Sequence, residues 1–218
     1  MIALLQRRTW LLAAAVAGLL GATSLQAQTT EAPDALVQRV SGDVLNTIKT
    51  DPTIRAGDLN KVSALVDAKI MPHVNFTRMT SSAVGRFWRQ ATPEQKQKLQ
   101  AEFKTLLVRT YSGALSQVKD QTLSFKPFRA NPQDVEVVVH TEVRGKGDPI
   151  ALSYRLEKTA EGWKIYDLNV AGVWLVDTYR NQFAQEINAK GLDGLIATLV
   201  ERNRSNASEK PAAAAKAG

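Results

Sequence analysis

The sequence contains no cysteine and only two histidines among its 218 residues. This excludes disulfide staples, thiolate nucleophiles, Cys-ligated metals and a lipobox thiol for acylation. His73 follows Pro72 and His140 lies in an alternating run, and neither has a partner at metal-ligand spacing. No G-x-S-x-G elbow, phosphate-cradling glycine loop or dinucleotide fingerprint occurs. Gly145-Lys146-Gly147 sits between two strand-like runs and reads as a hairpin turn. No basic run reaches four residues although the formal net charge is +7. The charge therefore reads as a solvated surface with a mild bias toward anionic lipid headgroups, and not as a nucleic-acid footprint.

The first residues set the compartment. Arg7 and Arg8 precede an apolar run over residues 10–20, small and polar residues follow, and Ala27 suits the last position before cleavage. That is the layout of a secretory signal peptide. The run is shorter than the roughly 20 residues a spanning helix needs, and no later run approaches that length. The chain is expected to divide into a signal peptide (1–27), a flexible start (28–33), one domain (34–203) and a low-complexity, disordered tail (204–218). An exported domain without staples depends on its core.

Leu36, Val37, Val40, Val44, Leu45 and Ile48 recur at helical spacing. They predict a helix capped by Asp34 and ended by Asp51-Pro52. A second helix is predicted over about 60–69 with Val62, Leu65 and Val66 inward; Pro72 breaks it, Phe76, Met79, Ala83 and Val84 restart it, and Gly85 turns the chain. Thr92-Pro93-Glu94-Gln95 is an N-cap, a proline at the first helical position and a capping box, opening a helix to about Val118. The period then changes to two. Leu123 and Phe125, then Val135 to Val143, Ile150 to Leu156, and Tyr166, Leu168 and Val170 form four runs separated by Asn131-Pro132, residues 145–149 and Glu161-Gly162. Val173, Trp174, Val176, Tyr179, Phe183 and Ile187 give a helical stripe stopped by Gly191, and Leu192, Leu195, Ile196 and Leu199 a short last helix capped near Asp193. The fold class is α+β: a four-stranded antiparallel meander with helices on one face, in an NTF2-like cup.

Bulky apolar side chains converge on the inside of that cup. The long helix offers Phe103, Leu107 and Tyr111; the sheet offers Val139, Ile150, Leu152, Tyr154, Leu156 and Leu168; the final helices offer Trp174, Tyr179 and Phe183. Spacing is satisfied equally by a filled core and by a lined cavity. Asp167 and Asn169 share a strand face, and with Tyr154 they offer an acid–base pair for a small NTF2-like enzyme; a strand-end structural role accounts for the same residues. A ligand-free adaptor with a solid core is a third reading.

Several blocks, in order, resemble the MlaC (toluene-tolerance) family. They are Ile70-Met71-Pro72-His73-Val74-Asn75-Phe76, residues 85–95 (GRFWRQATPEQ), residues 103–111 (FKTLLVRTY), Gly162-Trp163-Lys164-Ile165-Tyr166-Asp167, Gly172-Val173-Trp174-Leu175-Val176 with residues 179–183 (YRNQF), and residues 191–196 (GLDGLI). Asn75 stands where an acidic residue is common, and Trp174 where a smaller one is usual. The resemblance implies a monomeric, non-enzymatic periplasmic carrier without metal or cofactor. Its cargo is a diacyl phospholipid in an apolar cavity lined by the inward residues just named. Its implied partners are an inner-membrane MCE-domain protein of an ABC transporter and an outer-membrane lipoprotein–porin complex, with no nucleic acid.

Overall fold

The computed structural model describes residues 31–208. The expected signal peptide lies outside the described residues, as does the end of the expected tail. Helix α1 (Pro33–Thr50) opens on Pro33, and its N-cap is Ala32, which has no capping side-chain bond. Asp34 is therefore not the cap; it sits in the first turn, where a carboxylate complements the helix dipole. Asp51 caps a short α2 (Pro52–Arg55) by accepting from the Thr53 and Ile54 N–H groups. Asp58 does the same for α3 (Leu59–Leu65), and a π-helical turn (Val66–Ile70) and a 3-10 turn (Met71–His73) follow. Asn75 caps α4 (Phe76–Val84). That helix stops at Gly85, whose φ of 65° and ψ of −138° suit only a residue without Cβ. The capping box of α5 (Pro93–Ser116) forms in both directions, Gln95 N–H to Thr92 Oγ1 and Thr92 N–H to Gln95 Oε1.

The sheet is an antiparallel meander of five strands rather than four, in the order β1 (Thr122–Phe125), β2 (Glu136–Arg144), β3 (Ile150–Thr159), β4 (Gly162–Val170) and β5 (Val173–Trp174). The extra strand takes Val173 and Trp174 out of the expected helical stripe: they pair with Val170 and Asn169, and α6 (Leu175–Ser208) begins after them. Gly191 bends α6 with φ 72° and ψ −178°. The second arm continues through residues 204–208, the first part of the expected disordered tail; no glycine or proline intervenes between Gly194 and Pro211 to stop it.

A bulge lies between β3 and β4. Leu156 pairs with Ile165 but Arg155 pairs with Asp167, so Tyr166 is an extra residue. A one-residue insertion inverts the facing of the strand beyond it. Ile165, expected outward, is buried against Leu156, and the Tyr166 hydroxyl instead donates to Glu136 on the other face.

Apolar burial falls into three clusters. α4, α5 and α6 enclose the first around Phe103, with ring centroids of Tyr179 and Phe183 at 4.9 and 5.2 Å. Leu36, Val37 and Val40 of α1 cover Val139, Leu156 and Ile165 of the sheet in the second. Ile48, Ile54, Val62 and Leu65 form the third. The bend in α6 generates a prediction. Gly191→Ala forces a side chain into a backbone region open only to glycine, and a Cβ at Gly194 would stand 2.2 Å from Lys190 Cβ. Each substitution is expected to lower stability by about 2 kcal/mol, read from urea midpoints. An unchanged midpoint for both would remove the bend as a requirement of the fold.

Candidate functional site

The inner sheet face is built by cross-strand register. Val139 opposes Tyr154, Thr141 opposes Leu152, Val143 opposes Ile150, and Leu168 and Val170 continue the rows from Tyr154 and Leu152. Burial along this face is graded. Val139 and Leu156, under α1, are 1% and 0% exposed, Leu152, Tyr154 and Leu168 are half-buried, and Ile150 and Val173 at the far end are 48% and 55% exposed.

Helix α5 supplies the opposite wall. It packs closely on α3, α4 and α6 but on no strand, whereas α1, α4 and α6 all reach the sheet. The strip of α5 between its α6 side and its α3 side carries Leu107 and Tyr111, both half-buried, with Thr110 and Ala114 exposed among them. Leu107 and Tyr111 pack against the edge of the helical core, and the exposed Thr110 and Ala114 mark the part of the strip that no helix covers. The apolar sheet face is covered by α1 at one end, meets the helical core through Leu168, and is exposed at Ile150 and Val173.

The residues expected to line this space divide. Leu107, Tyr111, Leu152, Tyr154 and Leu168 are half-buried, and Ile150 lies at the open end. Phe103, Tyr179 and Phe183 fill the helical core, and Val139 and Leu156 form the floor with α1. Trp174 pairs with Asn169, opposite in facing to Val173, and its ring lies 3.8 Å from the Arg155 guanidinium. A tryptophan there cannot narrow the inner space.

The acid–base pair is also split by the sheet. Tyr154 faces inward opposite Leu168, while Asp167 faces outward opposite Arg155. Asp167 is fully buried, accepts from the Val176 N–H at 3.1 Å and the Leu168 N–H at 2.9 Å, and pairs with Arg155 at 2.9 Å. It pins the start of α6 to the sheet. A second pin, invisible in the sequence pattern, joins α4: Arg78 binds Glu136 and Glu157 at 2.5 Å each and stacks 3.6 Å over the Tyr166 ring. Asn75 donates to Glu157 at 2.7 Å, which an acidic residue at that position could not do. The Val74–Ile165 bridge completes this seam along β4. Only the cross-strand register brings Glu136 and Glu157 together, and neither lies in a motif.

His140 exchanges a 2.8 Å hydrogen bond with Ser153 on the outer face, and burial, with Arg39 and Lys164 nearby, holds His73 below its ordinary pKa. Among the described residues no cluster of three His, Cys, Asp or Glu side chains could hold a metal, and no helix is long and apolar enough to cross a membrane. A separate surface cleft of about 380 Å³, lined by Met71, Val74, Phe76, Gln100 and Lys104 among others, contains none of the expected lining residues.

The geometry defines a class: an α+β protein with an open antiparallel sheet of five strands, one face apolar and the other carrying the ionic groups. Residues 38–201 match the family described as MlaC protein, and the chain belongs to that family. It is similar to the toluene tolerance protein ttg2D of Pseudomonas putida, 27% identical over 80% of this chain and 82% of that one. It is also similar to the intermembrane phospholipid transport system binding protein MlaC of Haemophilus influenzae, 22% identical over 77% of this chain and 80% of that one. A solved structure of a Ralstonia solanacearum phospholipid-binding protein in complex with a phospholipid is 52% identical, with a TM-score of 0.78 over 80% of this chain and 98% of that one.

Burial pushes the Asp167 carboxyl above its ordinary range, against the pull of the Val176 and Leu168 N–H groups and Arg155. The native state then holds this proton more tightly than the unfolded chain. That contribution is present below the ordinary carboxyl pKa and is lost as pH rises through the raised value. Asp167→Ala is expected to cost about 2–3 kcal/mol, because it leaves Arg155 and the Val176 N–H without their partner. Asp167→Asn keeps an acceptor, should cost less, and should remove this pH-dependent step. Equal denaturant midpoints for wild type and Asp167→Ala would show that this carboxylate pins nothing.

Proposed function

We propose that the protein is a periplasmic phospholipid carrier with no catalytic activity of its own. Its leader (1–27) is removed on export, and the domain 34–203 accepts a diacyl lipid from one membrane complex and hands it to another. The observation that carries this reading is the likeness, at 52% identity, to a protein solved with a phospholipid bound, in a chain with a half-buried apolar sheet face and a half-buried apolar strip on α5. Leu107, Tyr111, Ile150, Leu152, Tyr154 and Leu168 line the space, with Val139 and Leu156 beneath; Phe103, Tyr179 and Phe183 support the wall from behind.

Burying a methylene is worth roughly 0.8 kcal/mol, so two tails of about thirty methylenes gain on the order of 20 kcal/mol over water. That lies near the ceiling of non-covalent affinity. A bilayer offers the same tails nearly the same gain, so transfer between bilayer and carrier is close to neutral. Such a protein needs a dry space and docking partners, which we take to be an inner-membrane MCE-domain protein of an ABC transporter and an outer-membrane lipoprotein–porin complex. Direction then comes from the partners. The enzyme alternative loses its ground, since Tyr154 and Asp167 lie on opposite faces.

The purified protein is expected to carry about one diacyl lipid, seen by native mass spectrometry and lipid extraction. Leu152→Arg places a charge on the half-buried face and should abolish loading while the circular dichroism stays native. A protein that stays ligand-free after incubation with liposomes would refute the carrier reading.

A further inference from the structure

The four tyrosines differ in how their hydroxyls are used. Tyr166 donates to Glu136 at 3.0 Å on the outer face, and the Tyr179 hydroxyl has Thr110 of α5 as a partner. Among the described residues neither Tyr111 nor Tyr154 makes a side-chain hydrogen bond. Tyr154 packs into the cluster floored by α1, at the closed end. Tyr111 stands on the α5 strip that faces the open space, beside Leu107 and against the edge of the helical core. A half-buried tyrosine hydroxyl ordinarily finds a partner, and one without a protein partner inside a ligand space is available to the ligand.

We propose that Tyr111 is the residue that fixes the depth of the lipid, by donating its hydroxyl hydrogen to an ester carbonyl of the glycerol backbone. This rests on the carrier reading and deepens it. Tyr111 lies five residues before the last residue of α5, about 7 Å along the helix axis. The chain passes from that helix end through Gln121 beside Gly145, on the hairpin that precedes Ile150. Tyr111 is thus a short distance inside the open end and well above the α1 floor. A phosphate keeps its water at such a mouth. The ester carbonyls enter with the tails, lose their water there and need a donor. Burial, with Tyr179 nearby, pushes the Tyr111 hydroxyl up to about 12, so it stays protonated and neutral. A neutral donor suits a neutral acceptor. The ligand class selected is therefore the ester-linked diacyl lipid over its ether-linked counterpart, at little cost to headgroup tolerance.

The test uses delipidated wild-type protein and Tyr111→Phe. Each is loaded in competition from vesicles of phosphatidylethanolamine with ester-linked chains and its ether-linked analogue with the same chains. The wild type is expected to favour the ester lipid by about three- to tenfold, the size of one hydrogen bond. Tyr111→Phe should bring the ratio to one through weaker ester loading, with ether loading unchanged. A wild type without ester preference overturns the assignment, whatever the variant does. So does a Tyr111→Phe protein that keeps the preference. Wild-type protein that takes up neither lipid sinks the carrier reading itself, which separates that failure from a failure of Tyr111.

Discussion

The helical layer and the sheet are joined by a polar seam, by Leu168 against the helical core, and by α1 at one end. The seam is polar and crosses β2, β3 and β4: Arg78 of α4 and its cap Asn75 hold Glu136 and Glu157, and Asp167 holds the first turn of α6. The end is apolar, where α1 lies over Val139 and Leu156. An empty apolar space costs about 24 cal/mol per Å³ and favours collapse. On the carrier reading, a layer fixed at its margin and propped at one end resists that collapse, because α5 packs on α4 and α6, which the seam holds to the sheet.

That division of labour also bears on exchange of cargo. Tails held by dispersion and exclusion of water alone slide in and out without a large change in free energy along the path. They also lack a defined stopping point. One neutral donor on the wall, such as the hydroxyl of Tyr111, gives a resting depth at the strength of a single hydrogen bond. Several donors, or a charge, would hold the lipid more firmly and slow its release.

Much of the scaffold is legible in the sequence. The capping box at Thr92, the break at Pro72, the stop at Gly191 and the period-two runs all depend on neighbours a few residues apart, and these interactions survive without tertiary information. The failures have a shared cause. Strand β5 is two residues long, too short to show a period, and Val173 and Trp174 happen to extend the stripe of α6. The bulge at Tyr166 inverts facing, so alternation alone puts Ile165 outward and sets Tyr154 beside Asp167. Inward pattern also cannot tell wall from filler. Phe103, Tyr179 and Phe183 close on one another, while Leu107 and Tyr111 on the same helix face stay half-buried at the edge of that core.

The two faces of the sheet also differ in the chemistry they can perform. Between Val143 and Leu156, the inward residues of β2, β3 and β4 include hydroxyls at Thr141 and Tyr154 and otherwise only Val, Leu and Ile side chains. General acid–base work at neutral pH needs a group that titrates near the working pH. The carboxylates and guanidiniums of this sheet are turned away: Glu136, Glu157, Arg155 and Asp167 are bound to one another or to α4 and α6, and Glu142 pairs with Arg144 and Lys126. Moving one of them inward would supply a titratable group. It would also take a member out of the seam that ties α4 and α6 to the sheet, and place a charge among apolar side chains. On the carrier reading proposed above, the arrangement that keeps these groups off the face is the one that suits it to acyl chains.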